Sequence, residues 1–306
     1  MKYPLMFGVV ALATAFMVVT SDADVFGSGA NQFSIDFVDI GYAGNVADAT
    51  TGLGAVGYDF RIGTYEITID QFTRADAASS GAIGNGNENY YIAAGGDAPA
   101  SAMSWQEAAR FANWLTSGDI NVGVYQLSGD TLQGINRSYR NSSGVAYMMP
   151  SEDEWFKAAY YKPADDGSYS LYSSGLDTTP SVITSDGWNY SPTEHNPPLG
   201  TTNPMWATGS GALEQNGTYD IMGNVWEWTD TLITNGTVGA VYRGGSAWAT
   251  ADYLASDSSY DSSQDLAQSE GSIVGVRIVA IPEPSSIAMI ALMGGGIFAI
   301  RRIFMV

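Results

Sequence analysis

The chain contains no cysteine and one histidine, His195, among its 306 residues. The first absence excludes disulfides, thiol nucleophiles and every soft thiolate metal site. The second excludes any iron, zinc or copper centre built on several imidazoles. Basic residues are scarce as well: 12 Lys and Arg stand against 32 Asp and Glu, a net charge of −20. The cations are scattered (Arg61, Arg74, Arg110, Arg137, Arg140, Lys157, Arg243, Arg277). No basic stripe exists to neutralise phosphates, so nucleic acid is not an expected partner. A Ser-His-acid triad would rest wholly on His195, in a loop flanked by Pro192, Pro197 and Pro198, and no nucleophile elbow precedes any serine. The hydrophobic content of 45% is enough for one sizeable core or two small ones.

Long apolar runs occur only near the two ends. From Leu5 to Val19 the chain is apolar and closes on Ser21-Asp22-Ala23, the pattern of a secretory signal cut after Ala23. At the other end Pro282-Glu283-Pro284 precedes an apolar run from Ser285 to Ile300 and then Arg301-Arg302. About 16 residues at 1.5 Å each span roughly 24 Å, short for a bilayer core but workable with snorkelling arginines and local thinning. This tail resembles the bacterial PEP-CTERM sorting signal, which implies an exosortase-type peptidase as partner and a transient membrane anchor; a permanent anchor is the plainer alternative. The expected organisation is a signal peptide at 1–23, one folded domain at 24–280 and a sorting signal with a membrane helix at 281–306. The protein is then expected to be exported, held at the membrane by its C-terminal helix, and released to the cell surface or extracellular matrix if the anchor is cut.

Within the domain, helix starts are the firmest local signals. Thr68 with Gln71, Ser104 with Glu107 and Ser151 with Glu154 each have the spacing of a capping box. The second is followed by Ala108, Phe111, Ala112 and Leu115 at helical spacing and ends at Gly118; the third ends before Pro163. Residues 33–61 read as an irregular lead-in to a strand from Val56 to Ile67, and residues 77–100 as loop. From Pro163 to Asn216 no period of either kind is sustained.

Several blocks stand in one order along the chain: Pro99-Ala100-Ser101-Ala102-Met103-Ser104-Trp105, Met149 to Ala159, Gly217 to Trp228 with Gly223-Asn224-Val225-Trp226-Glu227-Trp228 at its centre, Tyr242-Arg243-Gly244-Gly245-Ser246, and Gly275-Val276-Arg277-Ile278. The set resembles the formylglycine-generating enzyme family, also called sulfatase-modifying factors, over roughly residues 55 to 280. The resemblance implies an α+β fold related to C-type lectins, with few helices, small antiparallel sheets and much irregular structure.

The same resemblance implies where chemistry would lie. Family members place two copper-binding cysteines shortly after the Arg-Gly-Gly-Ser block, one of them accepting a substrate cysteine that oxygen converts to formylglycine. Here those positions fall at Ala249 and Leu254, neither of which ligates copper or exchanges a thiol. Copper is therefore not expected, no catalytic residue is assigned, and the leading expectation is a non-oxidase binding module for an extracellular polysaccharide or protein; the alternative is a formylglycine-type oxidase or another enzyme using the same pocket. The family's calcium site carries over to Asp220, Gly223, Val225 and Glu227, two carboxylates and two carbonyls of the hard-oxygen kind that calcium takes. A second family calcium site would begin at Asn189 with the Tyr190 carbonyl, where the completing loop is shorter. Arg243 and Arg277 are expected to pair buried carboxylates, and the acidic stretch from Asp252 to Glu270 to be a solvated loop, the alternative being a loop that reads a cationic or sugar ligand.

Overall fold

Three reciprocal caps set the helices. Thr68, Ser104 and Ser151 each accept a hydrogen bond from the N–H three residues on, while Gln71, Glu107 and Glu154 reach back to the cap N–H. They open α1 (Ile69–Ala78), α2 (Trp105–Ser117) and α3 (Glu152–Tyr160) at the predicted positions. α2 closes on Gly118, whose φ of 81° is the left-handed conformation that a helix C-terminus favours. The structure, a computed structural model, describes residues 22–84, 92–163, 167–182, 187–191, 205–235, 237–258, 263–266 and 273–283. His195 and the proposed anchor lie outside them. Among the described residues no helix is long and apolar enough to cross a membrane.

Two sheets frame the helices. One is antiparallel throughout, with β1 (Asp22–Phe26), β2 (Phe33–Ile40), β3 (Phe60–Gly63), β13 (Val279–Pro282) and β6 (Val145–Met148) in that spatial order. The other runs β11 (Ser263–Asp265), β10 (Thr237–Arg243), β9 (Trp226–Asn235), β12 (Val274–Val276), and its β9–β12 pair is parallel. Two small hairpins, β4 (Tyr125–Ser128) with β5 (Thr131–Ile135) and β7 (Tyr161–Lys162) with β8 (Ser168–Tyr169), complete the strands. From residue 170 to 225 the described backbone holds no regular strand or helix, as the lack of period predicts.

The structure corrects three local readings. Residues 33–40 form a full strand: Phe33, Ile35 and Phe37 alternate inward with Ser34 and Asp36 between them. The strand expected from Val56 to Ile67 is confined to Phe60–Gly63, because Ile67 turns away to bond Val276 O and Ala100 N. Within Asp252–Glu270, β11 pairs with β10 instead of lying free. Two element ends also cross the expected domain limits. β1 begins at Asp22, before the expected cut after Ala23, and β13 carries Pro282 into the sheet, where Glu283 N bonds Gly144 O at 2.7 Å.

One core joins both sheets. Trp105, Trp155 and Trp228 are fully buried, and each indole N–H is satisfied: by Thr229 O at 2.9 Å, Glu227 Oε2 at 2.7 Å and Met103 O at 3.0 Å. Each such ring buries on the order of 200 Å² while its one polar atom stays bonded, so burial carries no desolvation penalty there.

Candidate functional site

Between β12 and β13 the chain passes from one sheet to the other through Arg277 and Ile278 alone. Arg277 is fully buried at that junction. Its Nη1 donates to Gly63 O at 2.8 Å and its Nη2 to Tyr219 O at 2.7 Å. Nε and Nη2 also reach Glu227, at 3.1 and 2.8 Å, and Glu227 Oε2 accepts from Trp155 as well. Burial works against the Arg277 charge, but Glu227 beside it holds the guanidinium above its ordinary range. The ion pair thus ties the Trp-Glu-Trp strand β9 to the crossover, as expected for Arg277. Arg243 also meets a carboxylate, Glu152 at the start of α3.

Around Arg277 the charges do not balance. Glu66, Glu214 and Asp220 are buried beside it together with Glu227. Burial pushes all three upward: Asp220 to about 6, Glu214 to about 7, and Glu66 well above the usual carboxylate range. Glu214 accepts from the Ser173 and Thr218 hydroxyls and from Ile221 N, and Asp220 Oδ2 from Gly209 N at 2.6 Å. Glu66 accepts from Asn224 Nδ2 at 2.8 Å and from Val225 N at 3.2 Å.

The glycine and asparagine of the motif shape this pocket. Gly223 has φ 95°, and a Cβ there would sit 2.4 Å from Asn189 O, so only glycine lets the two segments meet. Asn224, also left-handed at φ 55°, donates its N–H to Asn189 O, accepts from Asn189 Nδ2 and Trp206 N, and donates to Glu66. The motif and the Asn189 segment are therefore one hydrogen-bonded unit.

The four residues assigned to calcium fall in this unit. As oxygen donors in a pocket with more acid than cation, they fit the ion in kind. Glu227, however, already bonds Arg277 and Trp155, which leaves Asp220 as the carboxylate with open acceptor capacity among the described contacts. Among the described residues no group of three or more acidic, His or Cys side chains converges in metal-binding geometry. Calcium there would rely on backbone carbonyls and water beside Asp220.

Ala249 and Leu254, singled out above by the resemblance, both border Gly245. A Cβ on Gly245 would lie 2.7 Å from Leu254 Cδ2 and 3.5 Å from Ala249 Cβ, and both side chains are buried. Backbone bonds fix the loop: Ser191 N to Ala249 O, Leu254 N to Ala251 O, and Tyr160 Oη to Leu254 O at 2.8 Å. Neither the Leu254 side chain nor the Ala249 methyl group offers a metal ligand or a nucleophile. Sequence reasoning did not find Glu66, Glu214 or the hub role of Asn224; the available signals were an acid inside the apolar string Tyr65-Glu66-Ile67 and an asparagine directly after a glycine.

Comparison with solved structures places the fold. The crystal structure of CarF superposes with a TM-score of 0.57 at 22% identity, covering 80% of this chain and 97% of that one. Variable protein 1 of Treponema denticola does so at 0.54 and 16%, covering 86% of this chain and all of the other. No curated protein matches the sequence. The family model described as the sulfatase-modifying factor enzyme 1-like domain matches residues 51–281, the span that holds the motif blocks, the Arg277 junction and the loop at Leu254, and the chain belongs to that family.

Proposed function

We propose that this domain is a non-oxidase binding module, exported and displayed at the cell surface or in the extracellular matrix, where it binds polysaccharide or protein. The observation that carries the reading is the buried packing of Leu254 and Ala249 against Gly245. A copper-thiolate reaction has no ligand there, while the scaffold around it is intact. The test is to incubate the purified protein with copper, oxygen and a sulfatase-motif peptide. The peptide cysteine is expected to remain unmodified, and formylglycine above the blank would overturn the reading. Protease shaving of intact cells is expected to remove the domain, whereas full protection would refute display outside the cell.

Calcium belongs to the same proposal, held by Asp220 with the Gly223 and Val225 carbonyls, and by Glu227 sharing an oxygen with Arg277. The excess of buried acid over Arg277 supports it. A chelator is expected to lower the melting temperature of the wild-type protein and to leave that of Asp220→Asn unchanged. Asparagine tolerates the φ of 55° at this position, so the variant keeps the turn. A melting curve of the wild-type protein that ignores the chelator ends the calcium proposal.

A further inference from the structure

A cavity of about 640 Å³ lies where the approach to β3, the turn before β6 and the end of β13 meet. Its cationic members are Arg137 and Arg140. Arg61, Arg74, Arg110, Arg137, Arg243 and Arg277 each pair with a carboxylate. Among the described residues Arg140 pairs with none. Its guanidinium is nevertheless pinned, because Nη1 donates to Arg137 O and Tyr139 O, both at 2.7 Å. Its Nε is buried and meets no acceptor. Burial pulls its pKa down, and Glu283 across the cavity works in the opposite sense. With Nη1 held by the backbone and Nε enclosed, Nη2 is the guanidinium donor left for a ligand, and a carboxylate takes it in a charge-assisted hydrogen bond.

The remaining walls choose among carboxylates. Arg137, in the same cavity, is already balanced by Glu154 and Asp230 and adds no open charge. Asp59, whose Oδ1 already accepts from Ala43 N, and Glu283 are acceptors for hydroxyl groups, and they repel an anionic group wherever Arg140 does not meet it. Tyr58 spends its hydroxyl on Glu154 at 2.5 Å, so it offers the cavity its ring, and Pro282 adds another apolar face. One carboxylate, several hydroxyls and a C–H face describe an acidic sugar. The volume lies within the range of roughly 300 to 1,000 Å³ typical of small-ligand sites.

We infer that this cavity binds a hexuronate residue, its carboxylate on Nη2 of Arg140 and its hydroxyls on Asp59 and Glu283. The inference narrows the polysaccharide arm of the binding role proposed above and does not depend on the loop at Leu254. Calorimetry with methyl glucuronide and methyl glucoside, which differ only in the carboxylate, tests it. The full-length protein is expected to bind the glucuronide at least about tenfold more tightly, the value of a charge-assisted pair. Arg140→Gln, with an unchanged melting temperature, is expected to erase that difference. Arg140→Lys, which keeps the charge but cannot both bond the Arg137 and Tyr139 carbonyls and hold a donor at the Nη2 position, is expected to lose most of it and serves if the first variant does not fold. Equal affinities, no glucuronide binding at millimolar concentration, or a preference that survives Arg140→Gln would overturn the inference. Uronate-free glucan bound equally by wild type and Arg140→Gln would do so too while leaving the binding role standing.

Discussion

Glu227 and Arg277 show how far a motif can be read and where it misleads. Glu227 stands out between two tryptophans as a hard-oxygen ligand, and in the fold the same carboxylate is the counter-ion of the only described cation at a junction of four buried acids. That Arg277 holds a buried carboxylate follows from its place among apolar residues; which carboxylate it holds does not. The acid between Tyr65 and Ile67 hints that Glu66 is buried, but its hydrogen-bond partner Asn224 lies 158 residues away and is not legible in the sequence. Removing one partner of a buried pair strands the other, at a cost of about 3–5 kcal/mol. Arg277→Met strands Glu227 together with the neighbouring acids and is expected to reach that range in urea unfolding. Glu227→Gln keeps the shape, and Arg277 still faces Glu66 and Glu214, so its loss is expected to be smaller. An equal or reversed order would show that the pair is not the charge centre of the pocket.

Among the elements, helices were legible and strands less so, for a physical reason. A capping box is written within four residues and satisfies its own orphan N–H groups, so Thr68, Ser104 and Ser151 mark their helices wherever the chain goes next. β2 carries its inward alternation of Phe33, Ile35 and Phe37, but flanking glycines and acids hide it, and β12 is defined only by pairing with β9 some fifty residues earlier. The three caps are not equivalent. Glu107 completes the cap at the start of α2 and bonds only Ser104, accepting from its N–H and hydroxyl. Glu154 completes the cap at the start of α3 and in addition holds Arg137 and Tyr58. Thr68→Ala and Ser104→Ala are therefore expected to cost about 1 kcal/mol each in chemical denaturation. Glu154→Gln is expected to exceed Glu107→Gln by a clear margin, because it also loosens a cation that otherwise faces Asp230 alone. Equal losses for the two glutamates would separate the cap from the ion pair and refute the linkage.

The whole molecule combines a net charge of −20 with acids buried beyond the reach of enough cations, and its stability should respond to pH in one direction. Burial raises Glu214 from 4.5 to about 7 and Asp230, despite Arg137, from 3.8 to about 6. A raised carboxylate pKa means that the folded state binds more protons than the unfolded state between the two values. Stability is then full below about pH 4, falls as pH rises through the folded pKa values, and levels off above about 7. At roughly 1.4 kcal/mol per unit, Glu214 alone accounts for a loss on the order of 3 kcal/mol across that window. Mutual repulsion among the surface carboxylates, which also ionise with rising pH, acts in the same sense. The melting temperature is thus expected to fall between pH 5 and pH 8. Glu214→Gln tests the assignment, since glutamine imitates the protonated acid, its NH₂ facing the Ser173 hydroxyl while its oxygen still accepts from Thr218 and Ile221 N. That variant should match wild type at pH 5 and exceed it at pH 8, and a parallel decline in both proteins would place the pH sensitivity elsewhere than at Glu214.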